Sequence, residues 1–366
     1  MKQPERITAK LRAPFPYFGG KSRIASVVWK ALGDVKHYME PFFGSGAVLL
    51  ARPAYDPLRH IETICELDPF LANVWRALAT DYEAVAEHCD WPASHIDLAA
   101  RRRRMMAQEA DLTEKMLDDP EYFDPKLAGW WIWATSCWIG SGMLTRSKRG
   151  MENPNVRPHL SNAGNSVVGV RGSFPLLTCA GQGVHSVSAR GVESKVPNLI
   201  NTGFGPHRLA LRTEGLFSWF AELQARVRSV RQVCGDWSRI CGGNWQALSN
   251  LAPCGIFLDP PYSVEDRKAI YAKDDFEVAK KVTEFAIGRG DNPDYRIVVA
   301  GYEEHAELLN HGWKVFLWKA SGGYGHQAKG LVKQGKFNRG REVLYLSPHC
   351  LPVEGESREI EAPKEG

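Results

Sequence analysis

The feature that most constrains the fold is a short apolar run, Gly255–Leu258, that ends in Asp259-Pro260-Pro261-Tyr262. The run has the length of a buried strand, and the prolines must end it because proline cannot donate a ladder hydrogen bond. The carboxylate and the ring that follow then stand at a strand's carboxyl end, where open α/β sheets bind ligands. An acid, a proline carbonyl and an aromatic face suit the planar amino group of a nucleobase. The alternative is a Pro-Pro turn that only caps a strand.

Two glycine turns near the amino terminus each precede a helix. The first, Gly19-Gly20, leads into an apolar helical pattern with Ser22 as the expected N-cap, and Lys21 adds a positive charge to the exposed backbone N–H groups. The second lies in residues 37–50, whose pattern predicts a strand, a glycine turn and a helix. This unit lacks Gly-x-Gly-x-x-Gly and a Gly-Lys-Ser/Thr ending, so a nucleoside-sized ligand is favoured over a dinucleotide or a triphosphate. A plain loop-to-helix junction is the alternative for the first turn.

Residues 61–68 predict the second strand, which ends in acids. An acid at this position commonly holds ribose hydroxyls in folds of this kind, and Glu66 and Asp68 both qualify. The alternative for each is a helix N-cap, which Asp68 before Pro69 fits well.

Strands and helices alternate along both ends of the chain, which predicts an α/β fold with a mostly parallel sheet and helices on both faces. Residues 70–116 have a helical pattern, within which the four arginines 101–104 are expected to be solvated or to face phosphates. Residues 129–139 predict a mostly buried aromatic helix. The expected organisation is a catalytic domain in two parts, 1–75 and 230–352, an inserted domain, 76–229, and a frayed tail, 353–366.

Charge is concentrated in one segment of the chain. Residues 140–213 contain nine Lys or Arg and two Glu, whereas the net charge of the whole 366-residue chain is only +4. Such a basic segment favours a polyanionic partner, with a solvated basic loop as the alternative. The eight cysteines form no Cys-x-x-Cys pair, so a zinc site is not predicted. No apolar run is long enough to span a membrane, and the polar amino terminus is unlike a signal peptide, which predicts a cytoplasmic protein.

Three separated motifs together resemble one family. Residues 15–21 (FPYFGGK), residues 40–46 (EPFFGSG) and residues 259–262 (DPPY) are similar, in order, spacing and strand context, to the Dam-type, D12 class DNA adenine-N6 methyltransferases of the α group. The resemblance covers roughly 13–80 and 230–348. It implies a Rossmann-like sheet that binds S-adenosylmethionine, with an inserted target-recognition domain, and methyl transfer to N6 of adenine in double-stranded DNA after base flipping.

The resemblance also implies roles for individual residues. The methionine end of S-adenosylmethionine is expected to contact Tyr17, Phe18, Gly20 and Lys21. The turn beneath it is formed by Glu40, Phe43, Gly44 and Gly46. The ribose of the cofactor is expected to contact Glu66 or Asp68. The adenine of the cofactor is expected to contact Asp236. The flipped base is held by Asp259, Pro260, Pro261 and Tyr262, of which Asp259 also faces the cofactor. The DNA is contacted by Arg146, Lys148, Arg149 and Arg157.

The recognition segment departs from the family pattern. An Asn-Gly-rich hairpin with Arg-x-Asn is replaced by the basic stretch Gly140–Gly150, so a GATC target does not follow. Cytosine-N4 methylation is one alternative, but Asp259 stands where relatives with that activity usually have Ser. A DNA-binding relative that has lost methyl transfer is the other. No metal is expected in the site, and a monomer is slightly favoured.

Overall fold

The computed structural model describes residues 11–15, 17, 20–91, 94–137, 143–144, 206–242, 251–261, 277–318 and 342–354, and at 95 and 206–214 the backbone only. In this part of the chain one sheet is formed by β1 (His37–Glu40), β2 (Ile61–Glu66), β3 (Arg231–Cys234), β4 (Cys254–Leu258), β5 (Tyr295–Gly301), β6 (Lys314–Leu317) and β7 (Val343–Leu346). The helices are α1 (Ala25–Leu32), α2 (Ala47–Leu50), α3 (Pro69–Thr80), α4 (Tyr82–Cys89), α5 (His95–Asp118), α6 (Pro125–Cys137), α7 (Pro206–Val227), α8 (Ser238–Cys241) and α9 (Val278–Gly290), with a 3-10 helix at Glu303–His311.

The strand order is β3-β2-β1-β4-β5-β7-β6. The first five strands are parallel, while β7 lies antiparallel between β5 and β6. The predicted mostly parallel α/β sheet is therefore confirmed. Its order changes direction between β1 and β4, and ligands of such sheets bind outside the carboxyl ends of the strands at this switch point.

Two hydrophobic clusters cover the two faces of the sheet. Successive side chains of a strand point to opposite faces, so Tyr38 packs in the cluster that contains α1, α3 and α6, whereas Met39 packs in the cluster that contains α8 and α9. All residues of β1 and β4 are buried, as expected for central parallel strands with both faces covered. Helices on both faces were predicted and are confirmed.

One local prediction was wrong. Ser22 does not cap α1, because the helix begins at Ala25 with Ile24 at the N-cap and no side-chain cap. The predicted helical pattern over 70–116 is confirmed, and it is divided among α3, α4 and α5. Two polar side chains cause the breaks, since Asp81 accepts the N–H of Ala84 at 3.0 Å and Ser94 accepts the N–H of Asp97 at 3.3 Å.

The arginine run in α5 divides between packing and solvent. The Arg101 guanidinium lies over the rings of Trp91, Trp130 and Trp133, 4.3 Å from the centroid of Trp133. The Nε of Arg102 donates to the carbonyl of Met143, while residues 103 and 104 are exposed. Only half of the run therefore matches the expectation of solvated or phosphate-facing arginines, because the first two stabilise the helical layer by contact with aromatic rings and backbone.

A buried ionic cluster, the Glu62 triad of Arg52, Glu62 and Arg226, fastens α7 to the sheet. Arg226 makes a bidentate pair with Glu62 at 2.6 and 2.9 Å, and Nη1 of Arg52 donates to the same carboxylate at 3.2 Å. Arg226 also donates to the carbonyl of Leu49 in α2 at 2.8 Å. The three side chains are at most 3% exposed. The helix that returns from the basic segment is thus fixed to β2 and α2.

The helices on either side of the basic segment share a core with the sheet. Residues of α4, α6 and α7 pack in the same cluster as α1 and α3, and α3 itself runs across residue 76, where an inserted domain was predicted to begin. The predicted division into 1–75, 76–229, 230–352 and 353–366 stays a prediction. In the described residues no helix is long and apolar enough to cross a membrane.

Candidate active site

A cleft of about 170 Å³ opens at the carboxyl edge of the sheet, where the strand order changes direction. Acids that end or follow four adjacent parallel strands line it: Glu40 of β1, Glu66 of β2, Asp236 after β3 and Asp259 after β4. Because parallel strands present their carboxyl ends at one edge, residues far apart in the sequence meet here.

Most of the predicted site residues come together in this cleft. The predicted residues that line it are Tyr17, Gly20, Lys21, Glu40, Phe43, Gly44, Glu66, Asp68, Asp236, Asp259 and Pro261. Gly46 and Pro260 are adjacent to lining residues, at the N-cap of α2 and after β4. Phe18, Tyr262, Arg146, Lys148, Arg149 and Arg157 lie outside the described residues.

The glycine turn after β1 requires glycine at two positions. Gly44 and Gly46 have φ of +51° and +65°, a region that L side chains rarely adopt. A Cβ on Gly44 would lie 2.8 Å from Cε1 of Tyr17, and one on Gly46 would lie 2.7 Å from Cζ of Phe43. Trp75 supports the turn from below, since its indole N–H donates to the carbonyl of Gly44 at 3.0 Å. The turn therefore packs closely against the aromatic floor of the cleft.

Glu66 is held by backbone N–H groups. One oxygen accepts the N–H of Gly44 at 3.0 Å and the other accepts the N–H of Asp68 at 3.1 Å. Burial, with the nearby charge of Asp68, raises the pKa of Glu66 to about 7. Asp68 itself caps α3 by accepting the N–H of Phe70 at 2.9 Å, as its position before Pro69 predicts. Of the two candidate acids, one is thus engaged in a helix cap.

A second acid of the cleft is fully buried. The hydroxyl of Tyr38 donates to Oε2 of Glu40 at 2.9 Å. Burial raises the pKa of Glu40 well above its usual range, and hydrogen bonds from Tyr38 and the Leu49 backbone only partly oppose this. Burial thus disfavours the charged form of Glu40, and a cation in the cleft would favour the carboxylate.

Aromatic residues that the motifs did not single out line the region near Asp236. Phe42 and Trp237 are stacked, with ring centroids 5.8 Å apart and an angle of 27° between the planes. Both line the cleft, as does Leu67. Both residues adjoin predicted site residues, because Phe42 lies inside the glycine-turn motif and Trp237 follows Asp236 directly. Nothing in the sequence shows that the two rings contact each other.

The opposite side of the cleft contains a second ionic cluster, the Lys21 triad of Lys21, Asp259 and Glu342. The ammonium Nζ of Lys21 lies 2.8 Å from Oδ2 of Asp259 and 3.0 Å from Oε1 of Glu342. Lys21 is 4% exposed, whereas the two carboxylate side chains are 20% and 10% exposed. One cation thus joins the residue after the first glycine turn to the residue after β4.

Glu342 was not predicted, and the topology explains its position. Because β7 is antiparallel to β5, Val343 at the start of β7 pairs with Gly301 at the carboxyl end of β5. The residue before β7 therefore arrives at the same edge as the residues after β4 and β5. From the sequence alone Glu342 is an ordinary polar residue in the last predicted strand, 341–346.

The sheet order defines a Rossmann-like α/β protein, and its acid-lined cleft lies at the switch point where such sheets bind ligands. Residues 17–116 match the family model of the D12 class N6 adenine-specific DNA methyltransferases, the family that the motifs resemble. Members use S-adenosylmethionine to methylate N6 of adenine in DNA. The matched segment includes Lys21, Glu40 and Glu66 but ends before Asp236 and Asp259. Curated proteins provided no match to this chain.

Proposed function

We propose that the cleft receives both S-adenosylmethionine and an adenine flipped out of double-stranded DNA, and that Asp259, Pro260, Pro261 and Tyr262 hold that base. One observation carries this proposal: the Asp259 carboxylate, after β4, lines the same cleft as Glu66, with Lys21 against it at 2.8 Å. An acceptor for the amino group and an acceptor for ribose hydroxyls are thus parts of one site.

The residues of the cleft fit this cofactor. The Glu66 carboxylate, which ends β2 in the cleft, is the acceptor for ribose hydroxyls, since each of its oxygens can accept a second hydrogen bond beside the one from the backbone. Phe42, Trp237 and Leu67 offer apolar surface for an adenine ring beside Asp236. Tyr17, Phe43 and the two glycines of the turn form the wall at the methionine end. The acids Glu40 and Asp259 favour a sulfonium cation, and when bound the cofactor supplies an electrophilic methyl group.

Catalysis then requires little covalent chemistry from the protein. Asp259 and the Pro260 carbonyl accept the two N6 hydrogens of adenine, which raises electron density on the nitrogen as it becomes tetrahedral. The ring of Tyr262 stacks on the base and holds it in line. Most of the rate comes from positioning and from fixed charges. No metal is needed, and among the described residues no cluster of His, Cys, Asp or Glu is arranged to hold one.

The basic segment between α6 and α7 would bind the DNA. Residues 140–213 carry the excess positive charge, and Arg146, Lys148, Arg149 and Arg157 are the proposed phosphate contacts. These contacts offset the few kcal/mol that flipping a base costs. The enzyme is proposed to act as a monomer in the cytoplasm, and its target sequence is set by this segment.

Incubation of the purified protein with unmethylated bacteriophage DNA and deuterium-methyl S-adenosylmethionine, followed by mass spectrometry of the nucleosides, tests the proposal. Labelled N6-methyladenine is the expected product. Labelled N4-methylcytosine would instead support the alternative substrate, and the absence of any labelled base together with retained DNA binding would support a silent relative. Methylation-sensitive sequencing of DNA from cells that express the protein then identifies the target sequence.

A further inference from the structure

We infer that Glu342 is a positioning residue for methyl transfer and acts on Asp259 through Lys21. The inference rests on the proposed function of the cleft. It starts from the bridge in which Nζ of Lys21 contacts Asp259 at 2.8 Å and Glu342 at 3.0 Å.

The two carboxylates restrict the position of the Lys21 ammonium group. An ammonium group has three N–H donors and can satisfy two carboxylates at once, whereas a lysine side chain with one partner has several rotamers from which to reach it. With Glu342 on one side and Asp259 on the other, Nζ is fixed at a single point between them. Oδ2 of Asp259 is then held in place, which fixes the plane of the carboxyl group that is proposed to face the amino group of adenine.

The charge of the Lys21 triad differs from that of a single pair of Lys21 and Asp259. A pair of Lys21 and Asp259 alone would be neutral, and the cation would draw electron density away from the acceptor. The triad contains one cation and two anions, so these three groups together contribute a charge of −1 beside the cleft. The nitrogen of adenine becomes positive as it takes the methyl group, and a fixed negative charge nearby stabilises this transition state.

The interaction between Lys21 and Glu342 is both buried and rigidly supported. Lys21 is 4% exposed and Glu342 is 10% exposed on its side chain, so water screens their interaction only weakly. Glu342 is fixed by its place before β7, which pairs with β5 on one side and β6 on the other. Because Glu342 directly adjoins a paired strand, its backbone is held more accurately than that of a residue within a long loop.

The test measures kcat and KM for Glu342→Gln with labelled S-adenosylmethionine and unmethylated bacteriophage DNA. We expect kcat to fall about tenfold, with KM for both substrates within about threefold of the wild-type values, because the missing interaction acts in the transition state. Glu342→Asp keeps the charge and should recover part of the loss. Glu303→Gln, the same chemical change on an exposed residue after β5, is the matched control and should stay within about twofold of the wild type.

A double-mutant cycle separates positioning from general support of the fold. If Glu342 acts through Lys21, Glu342→Gln should change kcat less than about twofold in a Lys21→Met background. An equal loss in both backgrounds, or an unchanged kcat in Glu342→Gln, would overturn the inference while wild-type activity still supports the proposed function. A wild-type protein without methyl transfer would overturn both. Thermal melts of each variant confirm that the rates refer to folded enzyme.

Discussion

The Glu62 triad and the Lys21 triad are built with opposite charge ratios. In the first, one carboxylate lies between two guanidinium groups, and in the second, one ammonium lies between two carboxylates. The first is closed, with side chains at most 3% exposed, whereas Asp259 in the second is 20% exposed and faces the cleft. The difference separates two uses of buried charge: a closed cluster fixes helices to a sheet, and an open one presents its excess charge to a ligand.

The two clusters also differ in the connections that they make. The Glu62 triad joins α7, which returns from the basic segment, to β2 and α2. The Lys21 triad joins the amino-terminal glycine turn to the ends of β4 and β7. Variants in the first should therefore change stability, and variants in the second should change the reaction.

The largest expected effect is the loss of methyl transfer after a substitution in the Lys21 triad. Asp259→Ala removes the proposed acceptor for the amino group and should reduce methyl transfer by at least about a thousandfold, a loss typical of a group that acts in the transition state. Incorporation of labelled methyl groups into DNA measures this, and gel-shift assays should show DNA binding within about threefold of the wild type. Methyl transfer that survives in Asp259→Ala would remove this residue from the mechanism.

The next largest expected effect is a loss of folding stability after a substitution in the Glu62 triad. Glu62→Gln leaves Arg52 and Arg226 buried without their shared carboxylate, and the free energy of unfolding should fall by about 3–5 kcal/mol. Urea denaturation followed by tryptophan fluorescence measures the change. Glu284→Gln is the matched control, because Glu284 pairs with Lys280 on the exposed face of α9 at 4.0 Å and should contribute under about 0.5 kcal/mol. If Glu62→Gln lowered only kcat, the assignment of the two clusters would be reversed.

Substitutions in the basic segment, residues 140–213, should affect DNA binding but not cofactor binding. Replacing Arg146, Lys148 and Arg149 by Gln should weaken DNA binding and reduce the slope of log K against log salt concentration by up to about 2.7, or roughly 0.9 for each phosphate that is no longer neutralised. Fluorescence anisotropy at salt concentrations on the order of 50 to 200 mM measures the slope. Binding of S-adenosylmethionine should be unchanged. A slope equal to that of the wild type would place these residues away from the interface.

The smallest effect concerns Glu66, which has backbone donors instead of cations. Its pKa of about 7 in the free protein means that the carboxylate is ionised above pH 7 and protonated below it. Ribose hydroxyls donate to the ionised form, so the affinity for S-adenosylmethionine should rise by about tenfold from pH 6 to pH 8. Calorimetric titration measures this rise, which Glu66→Gln should abolish.

Asp68→Asn supplies the control for this pH dependence. Asparagine keeps the cap of α3 but removes the charge that helps to raise the pKa of Glu66, so the midpoint should move to lower pH with little loss of stability. An unchanged midpoint in Asp68→Asn would contradict the assignment of Glu66 as the titrating group.

Much of the fold follows from local patterns. Local sequence patterns marked all seven strands of the described sheet, and prolines or acids marked several of their ends. Helix boundaries were less predictable, since Asp81 and Ser94 divided one periodic stretch by capping, and no local signal made Ile24 the N-cap of α1. Side-chain hydrogen bonds worth about 1 kcal/mol each decide such ends, and periodicity does not report them.

The sequence by itself determined which chemical groups are present: a glycine turn with Lys21, acids after strands, and Asp-Pro-Pro-Tyr after an apolar run. Only the tertiary structure decided which of these groups meet. Glu66 and Asp68 both line the cleft while Asp68 also caps α3, Phe42 stacked on Trp237, and the antiparallel β7 brought Glu342 to Lys21. The physical reason is that a sheet edge collects the ends of strands from distant parts of the chain, so contacts at that edge depend on strand order and direction, which no local pattern encodes.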